Sequence, residues 1–466
     1  MSLQSASLDR RNFLRAALAG AVAIPLGVTL ASCSTGGGGG ATGQKSAKNP
    51  FGMADNTTVD AVIFNGGYKT DYVDFAGKIL AKEHSGSSVK VKPETKIATT
   101  LQPRFVGGNP PDLIDNSGAD AIGFNSILDQ LEELQDVLDA NNLEGTKISD
   151  TLYPGVLTPG EFDGKLKALN YVLTLYAVWY SASLFEKNGW TPPTTWDEAF
   201  ELGGKAKAAG KYLFVWGKEA ATYYQTLVID SAIKEGGDEV RLNFDNLKDG
   251  AWSQDSVQKV LTSLKKIIDA GYVKPGGSGT QFTAAQAQWS NDQSGLLYPS
   301  GSWIENEMKS QTAADFQMTG TPEFTVTTGS KLPQTALRST AGEPFAVPSA
   351  AKSVAGGKEV LRIMLSKESA TNFAKTRLAP SIVKDTVPDD AFGSTALASQ
   401  ISMLNAAKTD TFTFTFVDNY GTNTDQLVLW NAFLDGKSSV NELTDGLQQI
   451  SDKIAKDDSI KKITVK

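Results

Sequence analysis

Val59-Asp60-Ala61-Val62-Ile63-Phe64, then Ser88 to Pro93, then Asp112-Leu113-Ile114-Asp115 decide the fold. The first is a compact apolar run ending in the turn Asn65-Gly66-Gly67-Tyr68. Between it and the second, Tyr72 to Glu83 repeats apolar residues at helical spacing, with Phe75, Ile79 and Leu80 on one side. Ser88 to Pro93 alternates as a strand does, Lys96 to Phe105 reads as a second helix, and Asn109-Pro110-Pro111 breaks it before the third strand. Strands alternating with helices predict βαβ units on a parallel sheet.

The same pattern continues downstream. Leu166 to Tyr180 is rich in Val, Leu and Tyr and reads as extended, followed by a short helix over Ser183 to Lys187. Thr195 with Glu198 three residues on predicts a capping box. Leu213-Phe214-Val215-Trp216-Gly217 reads as a buried strand and turn, and Ser256 to Ala270 as an amphipathic helix. Gly295-Leu296-Leu297-Tyr298-Pro299 is a strand running into Ser300-Gly301-Ser302-Trp303. Val360 to Leu365 and Leu443 to Ile454 read as helices.

The N-terminus sets the compartment. Asp9-Arg10-Arg11-Asn12-Phe13-Leu14-Arg15 carries the twin-arginine pattern, with Asp9 and Arg15 departing mildly from its usual form. The apolar stretch Ala16 to Leu30 is shorter than the ~20 residues a spanning helix needs. It fits an export signal better. Leu30-Ala31-Ser32-Cys33 resembles the lipobox of bacterial lipoproteins, where small residues precede the cysteine that receives a diacylglyceryl group. Arg10 and Arg11 are thus the expected export signal and Cys33 the expected lipid anchor. Ser34-Thr35 and Gly36 to Gly40 read as a flexible tether.

Composition removes most enzymology. Cys33 is the only cysteine, so no intramolecular disulfide is possible. His84 is the only histidine; it reads as a solvated residue at a helix end. No His/Cys metal cluster can form, and a Ser-His-Asp arrangement would depend on His84 alone without a G-x-S-x-G elbow. No glycine-rich phosphate loop appears. Asp245 to Gly250 looks briefly like a calcium loop but lacks its spacing and terminal Glu, so it reads as a turn. Only chemistry run by a pair of carboxylates survives, and no motif marks such a pair. The chain carries a net charge of −8. Residues 1–32 hold three arginines against Asp9, so without them the charge becomes −10. An acidic surface argues against nucleic acid as a partner.

Four motifs then occur in order: Asn109-Pro110-Pro111-Asp112-Leu113; Trp179 to Trp190; Pro192-Pro193-Thr194-Thr195-Trp196-Asp197-Glu198; and Ser300-Gly301-Ser302-Trp303. They resemble the carbohydrate-type extracellular solute-binding proteins of ABC importers. Ile97-Ala98-Thr99 through Val106, Asp115-Asn116-Ser117-Gly118-Ala119, Pro299 to Glu307 and Ala341-Gly342-Glu343-Pro344-Phe345 are similar to the actinobacterial N-acetylglucosamine/diacetylchitobiose-binding lipoproteins. The resemblance spans roughly residues 50–455. It implies an α/β fold of the periplasmic-binding-protein type II kind, with two discontinuous lobes joined by a hinge and the ligand cleft between them. The implied division is 1–32 signal, 33–54 lipidated tether, 55–165 with 311–365 for the first lobe, and 166–310 with 366–466 for the second. It also implies a monomer without enzymatic activity, metal or cofactor. Such a protein captures a sugar, here N-acetylglucosamine or chitobiose, by hinge closure and delivers it to a membrane permease.

Sugars present flat C–H faces and a rim of hydroxyls, so a cleft needs aromatic plates and short polar side chains. Trp303 is the first candidate plate, after a strand end and turn; the rival reading is a core plug. Trp216 and Tyr68 follow, against core packing and an exposed turn tyrosine. Asp115 and Asn116 end the third strand and can hold hydroxyls, or cap a helix instead. Glu305 and Glu343 are candidate acceptors, the former equally a surface carboxylate. Tyr420 and Asn423 are the remaining carry-overs. Trp179, Trp190, Trp196 and Trp430 read as packing residues. An acetamido group would need an apolar pocket for its methyl and polar partners for its amide, and the sequence alone does not place them. The rival functions are the same role for another oligosaccharide, a surface glycoside hydrolase using an Asp/Glu pair, and an adhesive lipoprotein.

Overall fold

The computed structural model describes residues 43–153 and 155–465; the readings on Arg10, Arg11 and Cys33 lie outside these. One nine-stranded sheet runs through the described chain. Its first strands are β1 (Thr58–Phe64), β2 (Ser88–Glu94) and β3 (Leu113–Asp115). They pair in parallel, with β1 in the middle, as the βαβ pattern predicts. The intervening helices are Asp71–Glu83 and Ile97–Val106.

Two long strands tie the molecule together. β4 (Leu169–Ser181) spans thirteen residues, and β5 (Tyr212–Phe214), β6 (Gly295–Gly301) and β7 (Met318–Thr321) follow it. β8 (Leu337–Ala346) is the second long strand. It is antiparallel to β3 at one end, through Phe345 and Asp115, and to β4 along its length. β4 pairs with β8 over Leu169 to Leu175, then with β6 over Tyr176 to Tyr180. One strand therefore begins in one lobe and ends in the other.

Two sets of buried side chains form the lobe cores. Val59, Ile63, Val73, Leu80 and Leu113 pack with Val172, Val360 and Phe373 in the first. Trp196, Phe214, Leu227, Trp252, Leu264 and Trp430 pack with Val178 in the second. These cores do not follow the boundaries expected above. Phe324 sits in the second core, whereas Phe373 and Ile382 sit in the first. The chain changes lobe wherever a long strand carries it across, and composition does not mark those points.

Three local readings change. Gly43 to Met53 were assigned to the tether, yet they fold onto the first lobe. The Asn49 amide donates to the Met53 carbonyl at 2.9 Å and accepts from its N–H at 2.8 Å, and Met53 is buried. His84 is not a solvated histidine: its Nε2 lies 2.8 Å from Oε1 of fully buried Glu359. Glu359 also takes two bonds from Arg362, at 2.9 and 2.6 Å. A buried carboxylate needs such partners, and helix Val354–Met364 brings them to the end of helix Asp71–Glu83. The capping box at Thr195 is half formed. Its hydroxyl accepts from the Glu198 N–H, but the Glu198 carboxylate turns to the N–H and hydroxyl of Thr194.

The C-terminal segment touches both lobes. Ile463 packs with Phe124 and Phe162 of the first, and Lys461 lies 3.3 Å from Asp163. The Val465 N–H donates to Asn246 of the second at 3.0 Å, and the Ile463 N–H donates to the Tyr420 hydroxyl at 2.9 Å. Tyr420→Phe removes that one acceptor from a partly buried site. It is expected to lower stability by about 0.5–1.5 kcal/mol, read by urea unfolding, with no change in ligand affinity.

Candidate ligand-binding site

The strands of the first lobe point their C-terminal ends, Phe64 and Asp115, toward the crossing strands β4 and β8. Ligands of open α/β sheets bind at those ends. A polar hollow of about 520 Å3 opens at the other end, by Thr58, Asp60, Lys92 and Arg104. There the two cations are held by Asp60 at 2.7 and 2.8 Å.

Trp303 stands where β6 ends and helix Ile304–Met308 begins. The backbone makes room for it. A Cβ on Gly301 would meet the Trp303 ring at 1.9 Å, and one on Gly67 would meet its Cβ at 2.9 Å. Gly67 lies just after β1, so the indole sits between the two lobes. Tyr176 meets it edge-on, with centroids 5.4 Å apart at 88°, and Tyr223 lies at 6.0 Å and 62°. The indole N–H donates to the Tyr223 hydroxyl at 3.3 Å. All three rings remain partly exposed. They form a fixed aromatic corner, which suits the C–H face of a pyranose.

Beside this corner is a buried polar group. Asp115 is fully buried and accepts a hydrogen bond from the Ser117 hydroxyl. The Glu343 carboxyl lies close enough for the two acids to act on each other's charge. Burial, then the charge of Glu343, pushes the Asp115 carboxyl well above the usual carboxylate range. Burial raises Glu343 as well. Glu343 holds a left-handed backbone, φ 54°, within β8. That is an uncommon conformation for a non-glycine residue and a mark of functional positions. The Tyr68 and Tyr72 hydroxyls and Asp115 Oδ2 are buried with no hydrogen-bond partner among the described residues. Burial raises both tyrosines. Unpaired buried polar atoms are costly, so their clustering points to a polar ligand.

The sequence candidates separate on this geometry. Trp303, Tyr68, Asp115 and Glu343 converge. Trp216 does not: it is a core residue whose ring fills the space where a Cβ on Gly277 would stand, 2.2 Å away. Asn116 uses both ends of its amide on Ile122, accepting from its N–H and donating to its carbonyl at 2.8 Å each. It shapes the loop after β3. Glu305 accepts from the Ser394 hydroxyl at 2.6 and 2.7 Å and so anchors helix Thr395–Ala407, which Ser394 caps. Tyr420 holds the C-terminal segment, as above. Asn423 opens helix Asn423–Leu434, next to Thr424, whose hydroxyl reaches the Ala119 carbonyl of the first lobe at 3.3 Å. Trp179, Trp196 and Trp430 are buried, as expected.

Tyr176 and Tyr223 were missed. Tyr176 lies inside a long apolar run and Tyr223 in the helix Tyr223–Gly236. The only available signal was a polar-tipped tyrosine within an otherwise apolar strand.

The carboxyl pair does not suit glycoside hydrolysis. Hydrolases hold their carboxyls ~5–5.5 Å or ~6.5–9.5 Å apart, with room for sugar or water between. Asp115 is fully buried with one oxygen taken by Ser117, and Glu305 is bound to Ser394, so neither stands free as half of such a pair. Among the described residues no group of three His, Cys, Asp or Glu is placed to hold a metal. None of their helices is long and apolar enough to cross a membrane.

Two lobes joined by crossing strands, with an aromatic corner and a polar cluster between them, define a binding protein rather than an enzyme. Residues 66–371 match the family model for bacterial extracellular solute-binding proteins, and the chain belongs to that family. Its members are non-enzymatic carriers. Among relatives, the chain is 60% identical over 468 residues to the diacetylchitobiose binding protein NgcE of Streptomyces coelicolor, covering 100% of both chains. Among solved structures, a chitin oligosaccharide binding protein superposes with a TM-score of 0.70 at 16% identity, over 86% of this chain and 100% of that one. A sugar transporter protein from Arthrobacter chlorophenolicus A6 with bound laminaribiose gives 0.69 at 17%, over 86% and 100%. At such identities these two structures speak to the fold alone.

Proposed function

We propose that this protein captures diacetylchitobiose or N-acetylglucosamine outside the cell and delivers it to the permease of an ABC importer. The full-length identity to a diacetylchitobiose binding protein carries this reading. The aromatic corner at Trp303 and the unpaired polar atoms near Asp115 support it from the chain's own chemistry. The ligand acts by favouring the closed arrangement of the lobes, with β4 and β8 as the hinge. The protein works as a monomer. Export runs by the twin-arginine route through Arg10 and Arg11, and a diacylglyceryl group on Cys33 holds the chain at the outer face of the membrane. Two acyl chains anchor stably where one is marginal.

Calorimetry of the chain from residue 43 onward, with N-acetylglucosamine, diacetylchitobiose and a panel of other disaccharides, tests the sugar. Binding without turnover is expected for the chitin sugars, with a melting temperature that rises as ligand is added. Binding confined to a sugar without acetamido groups would replace this reading. Cys33→Ala in the full chain is expected to release the protein from membranes; retention would remove the lipid anchor.

A further inference from the structure

Besides the Trp303 ring against Gly67, the lobes meet at a second seam. On the first lobe it is formed by residues 118–124, whose Ile122 and Phe124 are buried in that lobe. On the second it is helix Phe416–Tyr420 and the turn after it, whose Val417 and Tyr420 pack on that lobe's core. A Cβ on Gly123 would stand 3.0 Å from the Tyr420 carbonyl carbon and 3.2 Å from the Gly421 nitrogen. The nearer obstacle, the Asn125 side-chain oxygen at 2.7 Å, ends a side chain that can turn away. Gly123 does not need to be glycine for its own backbone, since φ −58° and ψ 125° suit other residues. What excludes a side chain there is the backbone of the other lobe. Across the same seam the Thr424 hydroxyl donates to the Ala119 carbonyl at 3.3 Å.

The C-terminal segment lies over this seam. Its backbone is fastened to the second lobe. The Val465 N–H donates to the Asn246 side chain at 3.0 Å, the Asn246 amide donates to the Val465 carbonyl at 2.9 Å, and the Ile463 N–H donates to the Tyr420 hydroxyl at 2.9 Å. Its side chains reach the first lobe instead. Ile463 packs on the cluster that holds Phe124 and Phe162, and Lys461 lies 3.3 Å from Asp163. That ion pair is exposed on both sides and contributes little, so Ile463 makes the main grip. Contacts of this kind exist only while the lobes are together, and they favour that arrangement. We propose that Gly123 and Ile463 form a latch between the lobes, which sets how readily the protein closes on a sugar and so how tightly it holds it. The latch rests on the proposed function, in which the ligand closes the lobes. It adds that part of the affinity arises from residues that never touch the ligand.

The test joins calorimetry with diacetylchitobiose to small-angle X-ray scattering, on the wild type, Gly123→Val and Ile463→Ser. Gly123→Val keeps an allowed backbone and sets a wedge against Gly421. Ile463→Ser keeps the three bonds to the second lobe and removes the grip on the first. Each is expected to weaken diacetylchitobiose about 5- to 150-fold, the usual range of coupling between a conformational change and a binding site, with Ile463→Ser toward the lower end. At a sugar concentration that saturates the wild type and contracts it, both variants should keep a larger radius of gyration. Tyr420→Phe leaves both Asn246 bonds in place and should bind as the wild type does. A merely structural role would lower the melting temperature of the sugar-free variants and leave affinity and radius unchanged. That result would overturn the latch while leaving the proposed function standing. If Gly123→Val does not fold, Ile463→Ser decides alone. A wild type that does not bind the sugar would overturn both.

Discussion

Trp303→Ala is expected to weaken sugar binding about 30- to 1,000-fold in calorimetry, while the protein stays folded. The indole is the one plate touched by both tyrosines of the corner, at 5.4 and 6.0 Å, and it fixes Tyr223 through the bond of 3.3 Å. Truncating a central aromatic anchor costs about 2–4 kcal/mol in binding, most of a thousandfold at the upper end. The folded state loses less, because the ring is only partly buried and its neighbours are held by other contacts. Trp303→Phe keeps a plate and loses the N–H bond, so it should recover most of the affinity. Near-wild-type binding by Trp303→Ala would remove the corner as the site.

The second large effect is a dependence on pH. Burial raises the folded-state pKa of both Asp115 and Glu343, and for Asp115 the charge of Glu343 adds to it. A carboxyl whose pKa is higher folded than unfolded holds its proton more tightly in the native state. Its contribution is fully present below the unfolded value and is lost as pH rises through the folded value. Stability should therefore fall with rising pH across that interval, by up to about 1.4 kcal/mol per pH unit for each proton involved. Glu343→Gln removes one of the two titrating carboxyls and its charge beside Asp115. Its melting temperature should fall less steeply over the same range, with the difference from wild type growing as pH rises. Other buried acids also titrate, Asp245 with its carboxyl pushed up to about 6 among them. The difference between the two proteins, rather than either slope alone, isolates the pair. Parallel curves would mean that Glu343 does not contribute to this dependence.

Much of this molecule was legible because its signals are local. The apolar run Val59 to Phe64, the helical spacing after it and the break at Asn109-Pro110-Pro111 gave the βαβ start, since the period of an apolar pattern depends only on which face is buried. The place of Trp303 after a strand end was readable because a strand ending in Pro299-Ser300-Gly301 must release its next side chains at a turn. Trp216 failed on the same logic. It too follows a strand, but whether a ring at a strand end meets solvent or the next helix depends on Gly277, distant in sequence, whose missing side chain admits the indole into the core.

Composition by itself determined that the chain has one thiol and one histidine, and so that most catalytic mechanisms are closed to it. Periodicity determined the alternation of strand and helix, and motifs spread over most of the chain pointed to the family. Tertiary structure alone decided where the chain changes lobe, because β4 carries residues of both cores, Val172 and Val178, in one unbroken run, with β8 paired along it. It also decided which aromatic and polar groups meet between the lobes. Tyr176, Tyr223 and Trp303, like Asp115 and Glu343, are far apart in sequence and meet only where the long strands pass between the lobes. A packed contact depends on the path of the whole backbone, which no window of neighbouring residues contains.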